Sequence, residues 1–132
     1  MAEKKKILVV EDFDEWRELL MLYIRHLGYE VSGAIDGIHA VEQAAAIHPD
    51  LILMDLAMPR MNGQEATVRL KADPATKDIP VIISTAYTRK DHTDSALEAG
   101  ALAVLLKPLD ITALGEVLAR CLRQEEKTTI PP

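Results

Sequence analysis

The chain has 132 residues, 48% of them hydrophobic and 27% charged, with a formal net charge of −6. That leaves room for one domain with a substantial core. The acidic balance argues against bulk electrostatic binding to nucleic acid, which needs a basic face.

The one basic cluster, Lys4–Lys5–Lys6, reads as a solvated strand start. A single cysteine, Cys121, excludes an internal disulfide. It falls on an apolar helix face and reads as a buried structural thiol. The residues before the first apolar run do not read as a leader, so none is expected, and none of the runs approaches the ~20 residues of a membrane span. The expectation is a cytoplasmic protein.

Lys6 to Val10 is a short β-branched run, hence a buried strand. It ends in Glu11-Asp12-Phe13-Asp14-Glu15. Asp14 and Glu15 suit a helix N-terminus, with Asp14 as the cap. Trp16, Leu19, Leu20, Tyr23 and Leu27 follow at helical spacing and stop at Gly28. Tyr29 to Ile35 reads as a second strand, closed by the turn pair Asp36-Gly37. Ile38, Val41 and Ala45 predict a second helix, stopped at His48-Pro49.

Leu51 to Met54 is the third strand and runs straight into Asp55; a Pro59 to Gly63 loop and a short helix, Gln64 to Lys71, come next. The fourth strand is Val81 to Thr85. A helix over Asp91 to Ala99 is capped by Gly100. Ala103 to Leu106 is the fifth strand, ending in Lys107-Pro108. A last helix carries Leu114, Val117, Leu118 and Cys121 on one face. The domain is expected to span residues 1–123, with 124–132 as a polar tail or linker start.

Five β/α units with near-continuous apolar strands predict a parallel sheet covered on both faces. Right-handed crossovers favour a doubly wound α/β fold, most simply of strand order 2-1-3-4-5.

The polar residues at the strand carboxyl ends carry the chemistry. Strand 1 ends in Glu11 and Asp12, strand 3 in Asp55, strand 4 in Thr85 after Ser84, and strand 5 in Lys107. In the expected order these groups converge on one edge, where open α/β sheets bind ligands. Carboxylates gathered without a cation repel one another. A divalent metal resolves this, and oxygen ligands suit Mg²⁺. Lysine suits a phosphate oxygen or a carboxylate as a point charge, and a threonine hydroxyl can donate to a phosphoryl oxygen. Together these parts describe an aspartate that accepts a phosphoryl group.

Those residues bring the chain to a family. From about Lys5 to Arg123 it resembles the receiver domain of two-component response regulators, which are CheY-like, flavodoxin-like three-layer sandwiches. The motifs are Val-Val-Glu11-Asp12, Asp55-Leu-Ala-Met-Pro59 with Asn62-Gly63, Ser84-Thr85-Ala86, and Gly100-Ala101 leading to Lys107-Pro108. The resemblance implies that Asp55 is phosphorylated by a histidine kinase or histidine phosphotransfer protein. It implies Mg²⁺ held by Asp12, Asp55 and the backbone carbonyl of Ala57, with Glu11 acting through water. Thr85 and Lys107 would contact the phosphoryl oxygens. The face formed by helix 4, strand 5 and helix 5 would bind a downstream protein. The chain would be a monomer or weak dimer, touching neither nucleic acid nor membrane. It would be no enzyme beyond transfer to Asp55 and slow self-hydrolysis.

Two departures from the family pattern matter, at Val104 and at the pair Ala57 and Tyr87. Aligned on Lys107-Pro108, Val104 stands where relatives carry Tyr or Phe. Ala57 and Tyr87 flank the site at positions that influence phosphoryl lifetime in the family. With no polar group at Ala57 to hold a water, and Tyr87 shielding the acyl phosphate, slow hydrolysis is expected.

Other readings are weaker. An aspartyl-phosphate phosphatase or mutase commonly has a second aspartate two residues after the nucleophile, where Ala57 stands. Flavin binding needs a Ser/Thr/Gly phosphate loop after strand 1, where Glu11 to Glu15 would repel phosphate. A degenerate docking module is disfavoured because the site positions carry competent side chains. His26, His39, His48 and His92 lack metal-ligand spacing and read as solvated surface. The methionines from Met54 to Met61 read as packing.

Overall fold

The computed structural model describes residues 4–86, 89–123 and 128–130. In chain order the elements are β1 (Lys6–Val10), α1 (Asp14–His26), β2 (Glu30–Ala34), α2 (Gly37–Ile47), β3 (Leu51–Asp55) and α3 (Gly63–Ala72). They continue with β4 (Val81–Thr85), α4 (Lys90–Ala99), β5 (Ala103–Leu106), α5 (Ile111–Leu122) and β6 (Thr128–Ile130). The sheet is parallel, in the order β2-β1-β3-β4-β5-β6. The first five strands thus take the predicted 2-1-3-4-5 order of a doubly wound α/β, CheY-like fold.

Side chains alternate across each strand, and this divides the core in two. Leu8, Val10, Ile52, Met54, Val81, Ile83 and Val104 pack under α2, α3 and α4 through Ala40, Ala44, Ala66, Leu70 and Ala96. Ile7, Val9, Leu51, Leu53, Ile82 and Leu105 pack under α1 and α5 through Leu20, Ile24, Leu114, Val117, Leu118 and Cys121. Strands β3 and β4 are buried along their whole length. Continuous apolar runs are what a strand covered on both faces requires. Burying each such Leu or Ile contributes about 1.5–3 kcal/mol.

Two local expectations need correction. Asp14 is not the cap of α1. Phe13 holds the N-cap position and gives no side-chain cap bond, while Asp14 is the first helical residue and pairs with Arg17 at 2.7 Å. Asp14 and Glu15 still lie in the first turn, where negative charge is favourable. The second concerns the stretch 124–132. Within it, Thr128–Ile130 forms β6, with Ala103 opposite Thr128 and Leu105 opposite Ile130. Two threonines and an isoleucine suit a strand, and the open β5 edge offers unpaired backbone groups. Residues 124–127 and 131–132 lie outside the described residues. Among the described residues no helix is long and apolar enough to cross a membrane.

Candidate functional site

The register of the sheet brings the candidate residues to one edge. Ladder bonds continue one step past the strands: Glu11 N–H donates to Ala34 O at 3.0 Å, Leu56 N–H to Ser84 O at 2.9 Å, and Lys107 N–H to Thr85 O at 2.8 Å. These bonds hold Glu11, Asp55, Thr85 and Lys107 at matched heights above the strand ends. Asp55, Glu11 and Thr85 are all buried, while Asp12 is exposed.

One carboxylate oxygen from each of Glu11, Asp12 and Asp55 lies within 4.8 Å of the others. The Lys107 ammonium donates to Oδ1 of Asp55 at 3.1 Å. Burial pushes the Glu11 carboxyl up to about 8, and its hydrogen bond to Asp55 and the Asp55 charge push the same way, against Lys107. At neutral pH the cluster therefore holds a proton in place of a further cation. Three hard oxygen donors with a charge deficit match what Mg²⁺ needs from a protein, namely one or two carboxylates and room for waters. The residues present fit that ion.

The loop after β3 closes back on itself. Gly63 N–H donates to Leu56 O at 2.8 Å, and Asn62 caps α3 by accepting from Glu65 N–H at 2.9 Å. A Cβ on Gly63 would stand 2.5 Å from Asp55 O. Only glycine lets α3 begin this close to the candidate phosphoacceptor strand. The loop borders an open cleft of about 590 Å³ lined by Asp12, Leu56, Ala57, Met58, Pro59, Asn62, Gln64 and His92.

Most predicted site residues therefore meet at one place: Glu11, Asp12 and Asp55 as a cluster, Lys107 on Asp55, Ala57 on the adjoining cleft, and Thr85 one strand over. Tyr87 lies outside the described residues. Val104 is fully buried beneath α4. Three features escaped the sequence reading. His92 is exposed, as expected of a surface histidine, and also lines the cleft. Arg17 donates to the backbone carbonyl of Glu11 at 2.8 Å and so holds the loop that presents Asp12. Asp36, read as a turn residue, is buried and ion-paired with Arg60. The Asp14–Arg17 spacing, three residues on one helix, was the only one of these signals present in the sequence.

Comparison with known proteins bears on the same residues. The sequence model described as "Response regulator receiver domain" matches residues 7–119. Over 105 residues the chain is 42% identical to the response regulator PleD of Caulobacter vibrioides, covering 80% of this chain and 23% of that protein. It is 34% identical over 114 residues to the polar-differentiation response regulator DivK of Brucella ovis, covering 86% of this chain and 93% of that one. The chain thus spans about a quarter of PleD and nearly all of DivK. Among solved structures, chemotaxis protein CheY4 of Vibrio cholerae superposes with a TM-score of 0.84 at 29% identity, over 89% of this chain and 98% of that one. The receiver domain of the sensor histidine kinase PA1611 of Pseudomonas aeruginosa, solved with a magnesium ion in its active-site cleft, gives 0.84 at 32% identity, over 92% and 99%. The chain belongs to the response regulator receiver domains of two-component signalling.

Proposed function

We propose that the chain is a phosphorylation-dependent switch that takes a phosphoryl group on Asp55 from the phosphohistidine of a histidine kinase or phosphotransfer protein. The observation that carries this is the contact between Lys107 and Asp55, itself a member of the Glu11, Asp12 and Asp55 cluster. In the transfer, an Asp55 oxygen bonds to phosphorus as the P–N bond to the donor breaks. The donor imidazole leaves with the electron pair. Lys107 sits where a phosphoryl oxygen would take up its charge, and the Thr85 hydroxyl is the matching donor from β4. Asp12, Asp55 and the Ala57 carbonyl would hold Mg²⁺, with Glu11 reaching it through water. Bound there, the ion would neutralise charge on the phosphoryl oxygens.

The donor must approach from the strand-end side. Phe13, next to Asp12 in the chain, and Leu19 and Leu22 further along α1 are exposed apolar residues, and they suit an apolar partner surface. The output face is taken to be α4, β5 and α5. β6 lies on the outer edge of β5, so an effector reading that face also meets Ile130. On this reading the chain acts in the cytoplasm, on proteins rather than nucleic acid, as a monomer or weak dimer. The receiver unit is taken to extend through residue 123, with β6 from the stretch beyond it added to the edge of the sheet. Its only chemistry is transfer to Asp55 and slow loss of the group to water.

Incubation of the full chain with acetyl phosphate and Mg²⁺ tests this. A mass increase of one phosphoryl group, absent in Asp55→Ala, is the expected result. No adduct with any small or protein donor would overturn the switch in favour of a docking module.

A further inference from the structure

Asp36 is 1% exposed, at the turn between β2 and α2, and its partner Arg60 comes from a different loop. One carboxylate oxygen accepts from His39 N–H at 2.8 Å and caps α2; the other accepts from the Arg60 guanidinium. Burial alone would push this carboxyl up, but the His39 N–H and Arg60 outweigh it and hold it below the usual range. A buried carboxylate of this kind is costly without its partners.

Arg60 is held with φ at +65°, the left-handed region that non-glycine residues avoid. The backbone accepts that conformation while its guanidinium reaches Asp36. One residue on, Met61 O accepts from Gly37 N–H at 3.1 Å. A Cβ at Gly37 would stand 2.4 Å from the same oxygen. The turn after β2 and the loop after β3 are therefore pressed together, with an ion pair beside a backbone bond. That loop runs from Asp55 through Ala57 to the α3 cap at Asn62. Its base is pinned by Leu56 N–H on Ser84 O and Gly63 N–H on Leu56 O. Asp36 and Arg60 pin its far end.

We infer that the Asp36–Arg60 pair is a positioning device for the phosphoacceptor loop, setting the Ala57 carbonyl and Asp55 at the spacing a divalent cation needs. This rests on the reading of the cluster as a Mg²⁺ and phosphoryl site. Neither residue touches the cluster, so both act through the loop.

The test uses the full chain, Mg²⁺ as titrant, and amide NMR of Asp55, Ala57 and Gly63. Asp36→Asn keeps the α2 cap, since asparagine caps as well as aspartate. Arg60→Asn keeps a residue tolerant of left-handed backbone. Each is expected to raise the Mg²⁺ Kd roughly fivefold and to speed hydrogen exchange of the Gly37 amide in the metal-free protein. The double variant should bind no more weakly than either single one. Arg60→Lys should recover part of the affinity. If the native chain binds Mg²⁺ and all variants bind it equally, the inference fails while the site reading stands. If the native chain binds no Mg²⁺ at its carboxylates, the site reading fails and takes this inference with it.

Discussion

The Lys107 ammonium, carried on the loop after β5, meets Oδ1 of Asp55 at the end of β3 across 3.1 Å, with β4 between their strands. This is a long-range pair made by register: Asp55 lies opposite Ser84, and Thr85 opposite Leu106. It offsets a buried carboxylate in a cluster of three. Replacing Lys107 with methionine keeps the side-chain length and removes the charge. Adduct formation with acetyl phosphate and Mg²⁺ should slow by about a hundredfold, the order seen when one charge-stabilising donor is lost. The time course of the mass shift measures it. An unchanged rate would remove Lys107 from the transfer.

Glu11 gives the metal-free protein a pH signature. Its carboxyl ordinarily titrates near 4.5 and is held up to about 8 by burial and by Asp55. Between those values the folded chain keeps a proton that the unfolded chain has released. The stability from this group is complete below about 4.5 and is lost as pH climbs to about 8. Urea midpoints in EDTA should therefore fall across that window relative to Glu11→Gln, whose amide cannot titrate. Parallel pH profiles for the two proteins would contradict it. Saturating Mg²⁺ should lessen the fall, because the ion replaces the proton.

Val104, the position at which the resemblance leads one to expect an aromatic ring, is fully enclosed under α4. A ring at that position has no room in the packing described. Val104→Tyr should destabilise the fold by about 1–3 kcal/mol through overpacking, read as a lowered urea midpoint. A neutral or stabilising result would mean that the α4 side yields readily, which would reopen an aromatic switch for this chain.

Ala57 lines the cleft beside Asp12 and offers it no polar side chain. Ala57→Asn places an amide there that can hold an attacking water. The Asp55 phosphoryl group should then hydrolyse severalfold faster, measured as the decay of the adduct after the donor is removed. Tyr87→Ala should act in the same direction. A lifetime unmoved by either change would assign the slow step to groups other than these two.

The strand order, the two-faced sheet and the convergence of Glu11, Asp12, Asp55, Thr85 and Lys107 were legible in the residue order. Apolar runs bounded by turn residues specify buried parallel strands. Parallel strands carry their end residues to one edge. The cap of α1 falls one position earlier than expected because helix ends are set by backbone geometry, which here puts Phe13, without a side-chain cap bond, at the N-cap and Asp14 in the first turn. Strand β6 was hidden because three residues have no period of their own; an open β5 edge makes them a strand. His92 on the cleft and the Asp36–Arg60 pair had no local signal at all. Residues 24 positions apart, on different loops, meet only when the sheet sets the separation of those loops. The chain's order of residues thus determined which groups could do chemistry at the strand ends. The packed sheet decided which groups outside the strands hold them in position, because contact between loops is a property of register and burial rather than of sequence spacing.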